Sequence, residues 1–170
     1  MINGVKLICF YGPESTGKSV MAQRMAASYH TEFVPEVAKE IISSNDFTVD
    51  DIIKIARAQT ERIIEKAKTA TKFLFCDTDL ITTQIYCRHY LHKVPPVLFD
   101  LEKQISYDHY FLFDVDVPWV ADNFRDLGNY RIEMFSTFKT ELDIRNIPYQ
   151  LIFGEWETRA TLIKSKLDSL

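Results

Sequence analysis

The chain has 170 residues, of which 46% are hydrophobic and 13% aromatic, enough apolar material for one compact domain over residues 1–170. Its formal net charge of −4 excludes the strongly basic surface of nucleic-acid-binding proteins, so we expect no nucleic-acid partner. The longest apolar runs are too short to cross a membrane and no signal peptide is recognisable, which predicts no membrane partner and a cytoplasmic location. Three cysteines without C-x-x-C spacing predict buried free thiols.

Strands and helices are predicted to alternate along the whole chain. Apolar runs with β-branched or aromatic residues predict strands over residues 5–11, 32–35, 72–77, 109–116 and 148–153. Helical spacing of apolar residues predicts helices over residues 18–30, 37–43, 49–69, 80–91, 97–105, 132–145 and 158–167, with Thr48 as an N-cap. This alternation predicts an α/β fold with a parallel sheet that is covered on both faces and binds ligands beyond the carboxyl ends of its strands.

The first predicted strand leads into a phosphate-binding sequence. Gly12, Gly17, Lys18 and Ser19 fill the fixed positions of the pattern G-x-x-x-x-G-K-S between a strand and a helix. In such a P-loop the backbone amides converge on an anion, the lysine reaches the β- and γ-phosphates, and the serine hydroxyl is a ligand for Mg²⁺. We therefore predict a nucleoside triphosphate site. Its predicted contacts are Gly12, Pro13, Glu14, Ser15, Thr16, Gly17, Lys18, Ser19 and Val20.

Acidic residues follow two further predicted strands at the same edge of the sheet. Glu36 comes directly after the second strand, with Lys39 on the same helical face, and could accept the proton of a hydroxyl that attacks the γ-phosphate. A solvent-exposed glutamate at a helix start is the alternative interpretation. Asp77 and Asp79 end the third strand, on the same side if the backbone is extended.

One carboxylate of this pair could hold Mg²⁺, for which Asp77 with Ser19 is the prediction, and the other could bind or deprotonate an acceptor hydroxyl. Asp79 could also cap the next helix. The residues leave open whether Glu36 or Asp79 is the general base.

Aromatic and basic residues follow the fourth strand. Trp119 could stack on a substrate ring or pack in the core. Arg125 and Arg131 bracket a Gly-Asn pair, and arginines in kinase lids neutralise the charge of the transferring phosphoryl group. We predict a catalytic role for Arg125, against the alternative of an ordinary surface arginine.

These motifs together resemble the kinase domain of NadR-type proteins, the ribosylnicotinamide kinases, from about residue 5 to residue 156. The resemblance is carried by GPESTGKS, VPEVAKE, Gln59, CDTDLITT and DVPWVADNFRDLG. Members of this family phosphorylate nicotinamide riboside to nicotinamide mononucleotide with ATP and Mg²⁺. The resemblance implies a P-loop NTPase fold of the nucleoside and nucleotide kinase type, with a five-stranded parallel sheet and a small lid.

The resemblance also implies individual roles. It implies nucleotide binding by the P-loop, a lid role for Arg125, and acceptor-side roles for Glu36, Asp77, Asp79 and Trp119. We predict that Lys39 and Gln59 also bind the substrate. Where the bifunctional members often have Trp-Glu-x-x-Arg, this chain has Pro35 and Lys39 around Glu36. It therefore lacks one aromatic ring, and a lysine replaces an arginine of different hydrogen-bonding geometry.

The sequence is also compatible with two other functions. One is a kinase for another nucleoside or metabolite on the same scaffold. The other is a P-loop regulatory ATPase or GTPase whose hydrolysis switches a partner. The chain has no Asn-Lys-x-Asp motif for guanine, and neither CDTD nor FDVD ends in the Asp-Glu of AAA-type motors. We expect these alternatives to differ in whether ADP release depends on an acceptor.

Overall fold

A computed structural model describes residues 4–119 and 127–170. Its strands are β1 (Lys6–Tyr11), β2 (Phe33–Val34), β3 (Phe73–Asp77), β4 (His109–Phe113) and β5 (Tyr149–Ile152). Its α-helices are α1 (Lys18–Ser28), α2 (Ala38–Ile41), α3 (Val49–Lys66), α4 (Leu80–Leu91), α5 (Pro96–Glu102), α6 (Arg131–Ile144) and α7 (Trp156–Asp168). A 3₁₀ turn, Gly128–Tyr130, precedes α6. Each predicted strand and helix has a counterpart among these elements.

The five strands form one parallel sheet in the order β2-β3-β1-β4-β5. β1 lies at the centre, where Cys9 is level with Cys76 on one side and Tyr110 on the other. The chain therefore leaves β1 towards one edge and later returns to the opposite edge. A ligand crevice is expected at such a change of direction, beyond the carboxyl ends of the central strands. The predicted five-stranded parallel sheet is confirmed.

Successive side chains of each strand point to opposite faces of the sheet, and a core lies on each face. Phe10 contacts Phe75, Phe111 and Phe113, with ring centroids 5.4–5.8 Å apart, on the face covered by α1 and α7. On the other face Tyr11 contacts Phe138 of α6. Burying an aromatic ring of this size stabilises the folded state by about 2–3 kcal/mol. The central strands are therefore well packed, and they position the loops at their carboxyl ends.

Helix ends follow local side-chain chemistry. The Thr48 hydroxyl accepts a hydrogen bond from the Asp51 amide at 3.2 Å, and Asp51 accepts one from the Thr48 amide at 3.0 Å, so the predicted N-cap of α3 is confirmed. The helix predicted over residues 37–43 is wrong at its end, because α2 stops at Ile41. Ile42 has extended backbone angles and packs against the core cluster beneath α3.

The three cysteines are free and buried, as predicted. None of the helices within residues 4–119 and 127–170 combines the length and the apolar content that crossing a membrane requires.

Candidate functional site

A cavity opens at the carboxyl edge of the sheet, between the P-loop and helices α2, α3 and α4. The P-loop, Glu36 and Lys39 line its charged end. The other end is mainly apolar and aromatic, and is lined by Ile42, Phe47, Ile52, Ile55, Tyr86 and Tyr90. A charged and an apolar subsite therefore share one continuous space.

The P-loop has the backbone that its glycines permit. Gly12 has a φ of 136°, and a Cβ there would lie 2.9 Å from the Phe113 carbonyl oxygen. The Lys18 ammonium is buried and donates to the Pro13 carbonyl at 2.5 Å and to the Thr16 hydroxyl at 3.4 Å. Burial lowers the pKa of Lys18, while the nearby carboxylates of Asp77 and Glu36 oppose that shift. The loop thus encloses a cation that faces the space where an anion would bind.

Glu14 connects the P-loop to the two segments beside it. Its amide donates to the Tyr86 hydroxyl at 3.2 Å, and its carboxylate accepts from the Leu127 amide at 3.0 Å. The loop is therefore tied to α4 and to the chain that precedes α6.

Glu36 lies between β2 and α2, and its carboxylate borders the cavity with 30% of the side chain exposed. The Lys39 ammonium is 3.7 Å from Glu36 Oε2. Burial and the charge of Asp77 raise the pKa of Glu36, against the opposing effect of Lys18 and Lys39. A carboxylate with a raised pKa accepts a proton more readily than an ordinary glutamate does.

Asp77, the last residue of β3, meets the chemical requirements of a Mg²⁺ ligand. Its carboxylate is hydrogen-bonded to the Ser19 side chain and the Glu36 amide, and burial raises its pKa. Its Oδ1 is buried and has no hydrogen-bond partner among the described residues. A free carboxylate oxygen beside a serine hydroxyl is the donor set that Mg²⁺ takes in P-loop proteins. Among the described residues no group of three or more His, Cys, Asp or Glu side chains could hold a metal ion, so phosphate and water oxygens would complete the coordination.

Asp79 has a different environment. Its Oδ1 accepts from the Thr82 amide at 2.9 Å and the Thr82 hydroxyl at 3.0 Å, and its Oδ2 accepts from the Tyr110 hydroxyl at 2.9 Å. The predicted capping of α4 is therefore present. Burial raises the pKa of Asp79 to about 6. Both carboxylate oxygens are already occupied by donors of the protein itself.

Thr78 separates the two carboxylates and is absent from the residues that the sequence predicts for the site. Its φ is +71°, a left-handed conformation that β-branched residues rarely adopt. The prediction that Asp77 and Asp79 lie on the same side of an extended segment is therefore wrong, since the strand ends at Asp77. Such backbone strain is concentrated at functional sites, and Thr78 lines the cavity.

Gln59 borders the apolar end of the cavity and is only 3% exposed. Its Oε1 accepts from the Val37 amide at 3.2 Å, and its Nε2 has no partner among residues 4–119 and 127–170. Tyr86 and Tyr90, four residues apart on α4, have near-parallel rings with centroids 6.4 Å apart. Their i, i+4 spacing was the one signal in the sequence that they share a helix face.

Of the two remaining predicted site residues, the structure describes only Trp119. The Trp119 ring packs beside Gly128, where a Cβ would come within 2.9 Å, and 5.5 Å from the Arg131 guanidinium. Among the described residues, Trp119 does not belong to the lining of the cavity. Arg125 lies outside the described residues. Both roles stay predictions.

Comparison with known proteins identifies the family. A family model described as an AAA domain matches residues 7–159. The chain belongs to this AAA domain family. The trifunctional NAD biosynthesis/regulator protein NadR of Escherichia coli (strain K12) is 30% identical to it over 131 residues, covering 74% of this chain and 32% of that protein. The protein of the same name from Salmonella typhimurium (strain LT2) matches equally. This AAA domain spans about a third of the length of these relatives.

Solved structures place the AAA domain among P-loop kinases by fold. A crystal structure of NadR protein in complex with NR superimposes with a TM-score of 0.84 at 19% identity, covering 97% of this chain and 51% of that one. A deoxyadenosine kinase from M. mycoides superimposes with a TM-score of 0.69 at 14% identity, covering 96% and 100% of the two chains. The predicted fold class and the resemblance to NadR-type proteins are confirmed.

Proposed function

We propose that the domain transfers the γ-phosphate of ATP to a hydroxyl of a nucleoside, with nicotinamide riboside as the preferred acceptor and nicotinamide mononucleotide as the product. The observation that carries the proposal is that the P-loop, Glu36 and an aromatic end line one and the same cavity. A domain that only hydrolyses ATP has no need of an acceptor pocket beside the γ-phosphate. The similarity to NadR proteins, and to a NadR structure in complex with NR, supports the choice of acceptor.

On the donor side, the loop amides and the Lys18 ammonium bind the β- and γ-phosphates. Ser19 and Asp77 would hold Mg²⁺, which supplies charge neutralisation to the phosphate oxygens. The Lys18 ammonium stays near the Pro13 carbonyl until a phosphate offers it a stronger acceptor. Arg125, from its position in the sequence, would add positive charge at the transferring group.

On the acceptor side, Glu36 orients the attacking hydroxyl and accepts its proton. Its carboxylate borders the cavity, and its pKa is raised above that of an ordinary glutamate, so it accepts a proton more readily. Asp79 is the less suitable base because both oxygens of its carboxylate already accept hydrogen bonds, from Thr82 and from Tyr110. We assign Asp79 the role of holding the start of α4, so that residues of this helix line the acceptor pocket.

The aromatic end of the cavity would bind the base of the nucleoside. Tyr86, Tyr90 and Phe47 offer the aromatic surface that Pro35 lacks. Within that surface the buried Gln59 Nε2 is a hydrogen-bond donor for which the described part of the chain supplies no acceptor. A carboxamide oxygen on the base would satisfy it, and leaving a buried donor unpaired is unfavourable. This arrangement favours a carboxamide-bearing ring over a purely apolar one.

The test is ADP release from ATP and Mg²⁺ with nicotinamide riboside, with uridine, with adenosine and with no acceptor, followed by mass spectrometry of the product. We expect ADP release that depends on nicotinamide riboside and yields a phosphorylated nucleoside, and none from the Lys18→Ala variant. Equal release in every reaction would favour a regulatory ATPase. Preference for uridine or adenosine would favour another nucleoside kinase.

A further inference from the structure

Arg159 of α7 is completely buried, although it does not line the cavity among the described residues. Its guanidinium donates to the Thr16 carbonyl at 2.8 Å and to the Gly154 carbonyl at 2.7 Å. It also donates to the Asp114 carbonyl at 3.4 Å and to the Asp116 carboxylate. One side chain therefore joins the P-loop to the segments that follow β4 and β5.

Two of the partners of Arg159, Asp116 and Gly154, are also hydrogen-bonded to each other. The second oxygen of the Asp116 carboxylate accepts from the Gly154 amide at 2.6 Å. Burying a guanidinium is unfavourable unless its N–H donors are hydrogen-bonded and an opposite charge is near. Asp116 supplies that charge. Because Asp116 and Gly154 fix the guanidinium, its position relative to the P-loop is fixed too.

The contact with Thr16 determines the orientation of one peptide group in the P-loop. A trans peptide is planar, and its carbonyl and N–H point in opposite directions. Since the Thr16 carbonyl points to Arg159, the Gly17 N–H points the other way, into the loop. The positive charge at the carbonyl also polarises the peptide and strengthens the N–H as a donor. The Trp156 ring approaches Gly17 closely, since a Cβ at Gly17 would lie 2.5 Å from that ring.

We propose that Arg159 is a positioning residue for nucleotide binding, which presents the Gly17 amide to the β-phosphate by holding the Thr16–Gly17 peptide from behind. Sequence position gives no sign of this role, since Arg159 and Thr16 are 143 residues apart. The inference rests on nucleotide binding by the P-loop, one part of the proposed function, and is independent of the acceptor.

The test is calorimetric titration of Mg-ADP into the wild-type protein and three variants. Arg159→Lys keeps the positive charge but loses the planar set of N–H donors of the guanidinium. We expect it to raise the Kd for ADP about ten- to a hundredfold, the effect of losing a hydrogen bond that involves a charged group. Asp116→Asn disturbs the guanidinium without touching the P-loop, and should raise the Kd about three- to tenfold. Arg24→Gln is the matched control, since Arg24 joins α1 to α7 through an exposed pair with Glu157 at 2.7 Å. Its Kd should stay within about twofold of wild type.

A purely structural role predicts a different result. Arg159→Lys and Asp116→Asn would then lower the Tm but leave the ADP affinity of the folded protein within about twofold, as for a residue remote from the ligand, and that result would overturn the proposal. If Arg159→Lys does not fold, Asp116→Asn decides by the same criterion. In steady state we expect KM for ATP to rise while KM for the acceptor stays unchanged. ADP binding needs no acceptor, so failure of the nicotinamide riboside assay leaves this result interpretable, whereas a wild type that binds no ADP overturns the proposal.

Discussion

Replacing Asp79 by asparagine separates a structural from a chemical role for this carboxylate. Asp79 caps α4 through the Thr82 amide and accepts from the Tyr110 hydroxyl. An asparagine oxygen keeps the cap, and the tyrosine hydroxyl can rotate to accept from the amide nitrogen. Asp79→Asn therefore removes a buried negative charge and leaves its hydrogen-bonding sites filled.

The expected change in stability depends on pH. Burial raises the pKa of Asp79 from 3.8 to about 6, so the folded protein binds this proton more tightly than the unfolded chain does. The wild type consequently loses stability as the pH rises from about 4 to about 6, by about 3 kcal/mol at about 1.4 kcal/mol per pKa unit. Below that window both states are protonated and the contribution of ionisation disappears. Relative to wild type, Asp79→Asn should gain about 3 kcal/mol between pH 4 and pH 7.

Urea unfolding of both proteins across this pH range measures the difference. Asp51→Asn is the matched control, because hydrogen bonds from Thr48 lower the pKa of Asp51. Its ionised form stabilises the protein at neutral pH, and that contribution is lost as the pH falls through its lowered pKa. The stability difference between this control and the wild type should therefore stay nearly constant between pH 4 and pH 7, and it should change in the opposite direction only below about pH 4.

A difference in unfolding free energy between Asp79→Asn and wild type that is equal at pH 4 and pH 7 would refute this reasoning. The same variant also tests the choice of base. We expect its turnover to stay within a few-fold of wild type, whereas a loss on the order of a hundredfold in a folded variant would make Asp79 the base.

Three further predictions concern the site. Glu36→Gln should lower kcat on the order of a hundredfold and leave the ADP affinity measured by calorimetry unchanged, and an unchanged kcat would remove Glu36 from the mechanism. Because the pKa of Glu36 is raised, the activity of the wild type should fall on the acid side at a higher pH than an ordinary glutamate gives. Gln59→Leu should raise KM for the acceptor about tenfold and leave KM for ATP unaltered, and equal losses for both substrates would argue against a role in base recognition. Lys18→Ala should abolish measurable ADP binding while Tm changes little, so retained affinity would contradict the assigned role of the P-loop lysine.

Features that depend on neighbouring residues were predictable. The P-loop backbone follows from glycines at fixed spacing, and the start of α3 follows from Thr48 and Asp51. The end of α2 was not predictable, because Ile42 leaves the helix to pack in a cluster formed by α3, α4 and α5. The relation of Asp77 to Asp79 was mispredicted because Thr78 adopts a positive φ that its side chain disfavours.

Residue pattern alone predicts the alternation of strands and helices, the P-loop, and the position of Glu36, Asp77 and Asp79 at one edge of the sheet. Tertiary packing sets which carboxylate of these three lines the cavity: among the described residues Glu36 does and neither aspartate does, and Asp79 accepts from Tyr110, 31 residues away. It also brought Arg159 of α7 to the Thr16 carbonyl. Such contacts depend on the lateral order of the strands, with β1 between β3 and β4. Residue periodicity specifies which way a side chain points, but it does not specify which distant segment lies there to meet it.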